Sequence, residues 1–322
     1  MPRGPRGPLP TDPALGEVYR DPVYDGATDP TVVRTPNGWW MFYTQRRATH
    51  PDPGPGVAWV HGSRVGVARS DDGERWRYVG TLAPGSSGTL TLSAGSPPRD
   101  VDRTHWAPDV IHDGTGWRMY LTEIAGIPDR WEGHARHIVE YASDDLAVWR
   151  RVGPIPLDSD RVIDAAVRRC PDGRWRLWYK DEAADSITKV AVSGDLAAWE
   201  AAGTAIGGRP HEGPFAIELG GWWWMITDEW RGLAVHRSRD AVVWERQDTL
   251  LLDESGPVGS GAQIGRHAMV VADAEDAGWI YFFTHPWWDG SEINDAMGDA
   301  HRRSSVQRAR LTAVDGRLVA TR

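Results

Sequence analysis

Short apolar runs broken by turn residues recur along the chain with a period near two, and five times they fall into the same order. Each copy opens with a strand-like run, turns at Gly or Asp-Gly, continues into a Trp-rich run, and later holds a third run closed by Ser/Asp and Trp. The first copy reads Asp29-Pro30 onward, Asn37-Gly38, Trp39 to Tyr43, Val65 to Asp71 and Trp76. The second runs from Asp109 through Asp113-Gly114, Trp117 to Leu121, Ile138 to Asp144 and Trp149. The third holds Asp164, Pro171 to Gly173, Trp175 to Tyr179, Val190 to Ser193 and Trp199. The fourth holds Glu212, Gly220-Gly221, Trp222 to Ile226, Leu233 to Ser238 and Trp244. The fifth holds His267, Trp279 to Phe283, Val306 to Arg310 and Leu318 to Ala320. Runs of this length, rich in β-branched and aromatic residues, are strands. Gly and Pro interrupt every window long enough for a helix.

Four strands per unit, repeated at about 50 residues, predict an all-β, five-bladed β-propeller with four antiparallel strands per blade. The fifth copy supplies its four strands from the C-terminal end, so no N-terminal strand is required to close the ring. Residues 1–16, rich in Pro and Gly, read as a loose lead-in, and 17–322 as one catalytic domain. In a four-stranded meander the long segments 46–63, 80–104, 123–137 and 250–266 fall on the face where the first strands begin, which places a site there.

Composition narrows the function. A net charge of -9 argues against a nucleic-acid partner. No apolar run approaches the about 20 residues of a membrane span. A single cysteine, Cys170, allows no internal disulfide. With no apolar N-terminal leader, these features point to the cytoplasm. The chain holds 19 Trp against 4 Phe. Most are expected to fill gaps between sheets, and a few to stack on sugar rings.

The starts of the innermost strands carry Asp29, Asp109, Asp164, Glu212 and His267, read as one repeat position beside the central channel. Carboxyls held close cannot all ionise cheaply, so their proton affinities split into an acid and a base. Trp59 and His61, Tyr43 and Arg46, Trp106, Lys180, and Trp230-Arg231 are the candidate substrate contacts.

Asp29-Pro30, Trp106-Ala107-Pro108-Asp109, Ile163-Asp164, Glu212-Gly213-Pro214 and His267, in this order, resemble glycoside hydrolase family 43 and its five-bladed relatives over nearly the whole chain. The resemblance implies Asp29 as general base, Asp164 as the carboxylate that tunes and orients the acid, and Glu212 as general acid, acting on an oligosaccharide or glycoside. It implies no required cofactor, and makes His267 a candidate ligand, through water, for a metal ion such as Ca2+ in the channel. Ala165 stands where Pro often follows the second Asp. Glu212-Gly213-Pro214 and the absence of Arg-Asp-Pro at Asp164 favour an inverting, exo-acting enzyme on a furanoside such as an arabinofuranoside. A retaining fructofuranosidase-like enzyme, a phosphorylase using Arg46, Arg47, Lys180 and Arg231 for phosphate, and a non-catalytic sugar-binding propeller are the alternatives.

Overall fold

A computed structural model describes residues 11, 16–94, 102–260, 262–290 and 298–322. Residues 1–10 and 12–15 of the expected lead-in, and 95–101 of one long segment, lie outside the described residues.

The chain is built of antiparallel meanders. The first comprises β2 (Ala27–Thr35), β3 (Gly38–Gln45), β4 (Arg64–Ser70) and β5 (Arg77–Pro84), after a short β1 (Glu17–Tyr19). An extra strand, β6 (Leu90–Ser93), follows. The second is β7 (Arg103–His112), β8 (Trp117–Ala125), β9 (Arg136–Ser143) and β10 (Val148–Pro154). The third is β11 (Val162–Arg169), β12 (Trp175–Asp181), β13 (Ile187–Ser193) and β14 (Glu200–Ile206). The fourth is β15 (Glu212–Leu219), β16 (Trp222–Asp228), β17 (Leu233–Ser238) and β18 (Glu245–Arg246). The last is β19 (Arg266–Ala272), β20 (Ala277–Thr284), β21 (Ser305–Val314) and β22 (Arg317–Thr321).

The first strands pack in a closed circuit: β2 on β7, β7 on β11, β11 on β15, β15 on β19, and β19 back on β2. Covered on both sides, they are almost continuously buried, as in Val162 to Val167 of β11. The outer strands are polar, and β14 is exposed over most of its length. Apolar side chains from neighbouring meanders fill the space between sheets. Phe42 of β3 meets Trp149 of β10 edge-to-face, 5.6 Å between ring centres, and both are buried.

The expected four strands per sheet hold for the third and fourth meanders only. β6 pairs with both β5 and β10 and fuses the first two meanders into a nine-stranded sheet. The expectation that no N-terminal strand joins the fifth meander is overturned, since β1 pairs with β21 beside β22. The two share one edge of β21 because β22 covers Arg310 to Val314 while β1 takes Val306 and Gln307. Asp21, just after β1, is buried and accepts from Tyr43 Oη at 2.7 Å and Gln45 Nε2 at 2.8 Å, and Tyr43 Oη lies 2.9 Å from Tyr19 Oη. Tyr43 therefore ties the N-terminal strand to β3. It is a buried latch and not the substrate contact the sequence suggested.

Candidate active site

The same backbone irregularity interrupts all five first strands. Pairing with the second strand slips between Thr28 and Thr31, Trp106 and Asp109, Ile163 and Ala166, Glu212 and Phe215, and Arg266 and Met269. Each slip is a bulge carrying one extra residue, a device that bends a strand and re-aims its side chains. The residue after each slip begins, Asp29, Ala107, Asp164, Gly213 and His267, has positive φ, from 34° at His267 to 59° at Asp164. Four of the five are not glycine, and such strain persists where surrounding structure enforces it. The ring supplies that enforcement. The Ala107 amide donates to Thr44 Oγ1 at 2.8 Å, the Asp164 amide to Thr122 Oγ1 at 3.2 Å, the Gly213 amide to Asp164 Oδ2 at 3.0 Å, and the His267 amide to Asp228 Oδ2 at 3.2 Å.

This register corrects the repeat position read from sequence. Asp29, Asp164 and His267 are equivalent; Glu212 sits one residue earlier, and Asp109 two residues later. Asp109 is buried in the wall, accepting from the Val167 amide at 2.7 Å and pairing with Arg168 at 2.9 Å. It does not face the cavity, because two residues past the bulge the strand has turned its side chain toward the neighbouring meander. The prolines at 30, 108 and 214 mark the true alignment.

A cavity of about 330 Å³ opens where the bulges converge. Asp29, Asp164, Glu212 and His267 line it together with Arg46, Trp59, Trp106, Lys180 and Trp230. Two further expected contacts are absent from its wall. His61 is fully buried one layer behind, its ring centre 4.8 Å from that of Trp106. Arg231 turns away to Glu229, 2.8 Å distant. The sequence reading missed Trp131, Arg136, Glu182, Arg266, Phe283, His285, Trp288 and His301, which with Val60 and Ile163 complete the lining. Arg266 had a signal, since it occupies the bulge position that Glu212 holds one meander earlier.

The electrostatics divide the carboxyls. Burial pushes Asp164 up to about 7; the negative charges of Glu212 and Asp29 add to this, while His267 and Lys180 oppose it. Burial also works against a charged Glu212, but the Lys180 ammonium, 3.1 Å from Oε2, outweighs it and brings the carboxyl down to about 2. The same ammonium lies 3.5 Å from Glu182 and 5.2 Å from the centre of the Trp230 ring. Asp228, behind the cavity, is raised to about 6 by burial, with Arg266 pulling it down and Glu212 adding to the rise. His267 Nδ1 lies 3.5 Å from Asp29 and 3.9 Å from Asp164. Burial disfavours its charge, yet these carboxyls raise its proton affinity above that of an ordinary imidazole. Asp29 also meets Arg46 at 3.7 Å and accepts from Thr28 Oγ1 at 3.0 Å.

The raised proton affinity of His267 works against direct ligation of a cation, while the contact through water that the resemblance implied is a proposal. The ring is drawn to the protonated form, which has no lone pair for a cation. Among the described residues no three His, Cys, Asp or Glu groups are placed to hold a metal ion.

The sequence matches no protein-family model and no curated protein. Its structure is similar to that of a thermostable family-43 glycoside hydrolase, with 17% identity and a TM-score of 0.65, covering 94% of this chain and 96% of the other. It is also similar to a xylan β-1,4-xylosidase from Bacillus halodurans, with 14% identity and a TM-score of 0.63 over 94% of this chain, and 56% of that one. A family-32 β-fructofuranosidase of Bombyx mori gives 13% identity and 0.64 over 97% of this chain and 66% of the other. The chain has the β-propeller fold of these structures.

Proposed function

We propose that the chain is a glycosidase, each meander forming one blade of a five-bladed propeller and the bulges of the innermost strands building the catalytic centre. The observation that carries this reading is three carboxyls, Asp29, Asp164 and Glu212, on one cavity, two of them pushed to opposite sides of the ordinary range. Glycoside cleavage needs a proton for the leaving oxygen and a carboxylate acting at the opposite face of the sugar. Asp29 is the base that activates water. Glu212, whose side chain is 24% exposed against 6% for Asp164, meets the leaving oxygen. Asp164 keeps the pair's single proton in the resting site. A sugar hydroxyl that accepts from Lys180 weakens its hold on Glu212 and lets the proton pass to the acid. A second reading, favoured by the raised proton affinity of Asp164, has Asp164 donate directly while Lys180 keeps Glu212 ionised.

Trp59, Trp106 and Trp230 give the cavity flat apolar walls suited to the C–H face of one sugar ring. That geometry supports exo action on a furanoside or related sugar. We infer inversion from Glu212-Gly213-Pro214 and from Asp164 standing outside an Arg-Asp-Pro sequence. Aryl furanosides and pyranosides screened by NMR test both points. The expected first product is the anomer opposite to the substrate's; a first product of unchanged configuration refutes inversion, and no turnover across the screen counts against the glycosidase reading.

A further inference from the structure

The acid and base account for only part of the charge in this cavity. On the wall between the first and fifth meanders stand two guanidinium groups, Arg46 just after β3 and Arg266 at the start of β19. Arg46 lies 5.3 Å from the centre of the Phe283 ring and Arg266 4.9 Å from that of Trp288. Their nearest negative neighbours are Asp29, 3.7 Å from Arg46, and Asp228, which feels the charge of Arg266 from behind the cavity. Among the described residues neither side chain donates a hydrogen bond, and Arg46 Nε is buried without a partner. Of the other basic groups of the lining, Lys180 and Arg136 are engaged by Glu212 and Glu182, and His267 faces Asp29 and Asp164.

A guanidinium carries five donors in a planar fork that matches carboxylate and phosphate oxygens. A donor buried unmade, as Arg46 Nε is, costs stability, and a ligand that serves it together with the partly buried Arg266 on the same wall explains the pair. The overall charge of -9 makes this local positive wall more telling, since the rest of the molecule repels anions. The same cavity is lined by His285, whose Nδ1 donates to the Arg303 carbonyl at 2.9 Å. Burial and both guanidiniums keep the ring neutral near pH 7. Its Nε2 is therefore an acceptor, suited to a hydroxyl beside the anion.

We propose that Arg46 and Arg266 bind an oxyanion in the sugar cavity, either the carboxylate of a uronic-acid glycone or inorganic phosphate beside the sugar. The proposal rests on the reading of the cavity as a sugar site and narrows its ligand. In the phosphate arm an oxygen of phosphate bonds to the anomeric carbon, the glycosidic carbon–oxygen bond breaks, and the leaving oxygen takes the acid's proton, giving a sugar phosphate.

Calorimetric titration of the full-length Glu212→Gln protein with glucuronate, galacturonate, inorganic phosphate and neutral glucose tests this without turnover, so its outcome is separate from that of the glycosidase reading. At least one anion is expected to bind at least tenfold more tightly than glucose. Adding Arg266→Gln or Arg46→Gln should weaken that anion at least tenfold, and Arg239→Gln, on the exposed surface, should leave it unchanged. Arg266→Lys keeps the charge but not the fork and should show an intermediate loss; it also serves if the Gln variant does not fold. Phosphate binding with phosphate-dependent turnover of the wild type identifies the phosphate arm, and uronate binding the carboxylate arm. Failure of all three anions to bind, or anion binding that survives replacement of both arginines, overturns the proposal.

Discussion

Gly213 shows how tightly single residues determine this centre. Its φ is +57°, and a Cβ there would sit 2.8 Å from Cγ of His267. Glycine between Glu212 and Pro214 is thus required twice, for the left-handed bulge and for the His267 ring laid against it. Gly213→Ala is expected to cost about 1–3 kcal/mol of stability and to lower activity by displacing His267 from Asp29 and Asp164; thermal unfolding and kcat/KM measure the two effects. Asp164 supplies a second expectation, in the pH dependence of stability. Its folded proton affinity is raised, so its contribution to folding is fully present below the unfolded value of about 3.9 and is lost as pH rises through about 7. Removing the charge removes that loss. Asp164→Asn should therefore unfold at higher temperature than the wild type at pH 8, with the difference shrinking toward pH 4. A variant equally or less stable at pH 8 would show that His267 and Lys180 already compensate the buried carboxylate.

At the scale of elements, the turn between third and fourth strands repeats one construction. Ser143 Oγ meets Asp145, whose Oδ1 accepts the amides of Ala147 at 2.9 Å and Val148 at 2.8 Å. Ser193 with Asp195 and Ser238 with Asp240 do the same, and Ser70 with Asp72 in the first meander. In the first two meanders the tryptophan that follows folds back: Trp76 Nε1 donates to the Gly73 carbonyl at 3.2 Å and Trp149 Nε1 to the Leu146 carbonyl at 3.1 Å. Asp145→Ala leaves two amides without an acceptor and should cost about 1 kcal/mol, as loss of a helix cap does, read as a shifted urea midpoint at constant activity. These turns were legible in the sequence because Ser, Asp and Trp act within a few residues of one another. The bulge register was not. Asp109 imitates Asp29 in standing next to a proline near a strand start, but it follows Pro108 where Asp29 precedes Pro30, and pairing with β8 shows that it lies two residues late. Glu182, Trp288 and His301 were illegible for a related reason, as was Arg136: the first three come from segments joining second strands to third and Arg136 opens a third strand, and their reach depends on the closed ring.

For the whole molecule, the circuit of first strands converts five sequence-distant bulges into one chamber. Asp29 and His267 meet across the seam between the first and last meanders, where the Tyr43 and Asp21 latch and β1 hold the chain ends together. The order Asp29, Asp164, Glu212, His267 was readable from spacing alone, because a repeat preserves position around the axis. The split in proton affinity was not, since it depends on Lys180 reaching from β12 to Glu212 across the gap between meanders. That split sets what the central claim, that Glu212 protonates the leaving oxygen and Asp29 activates water, requires: the proton held by Asp164 must pass to Glu212 when substrate binds. The direct test is kcat/KM against leaving-group pKa for a series of aryl glycosides. Glu212→Gln should fall by about 10²–10⁴-fold on poor leaving groups and stay near wild type on good ones, while Asp29→Asn should lose activity evenly across the series. Equal losses for Glu212→Gln on good and poor leaving groups, or the steep dependence belonging to Asp164→Asn instead, would contradict the assignment.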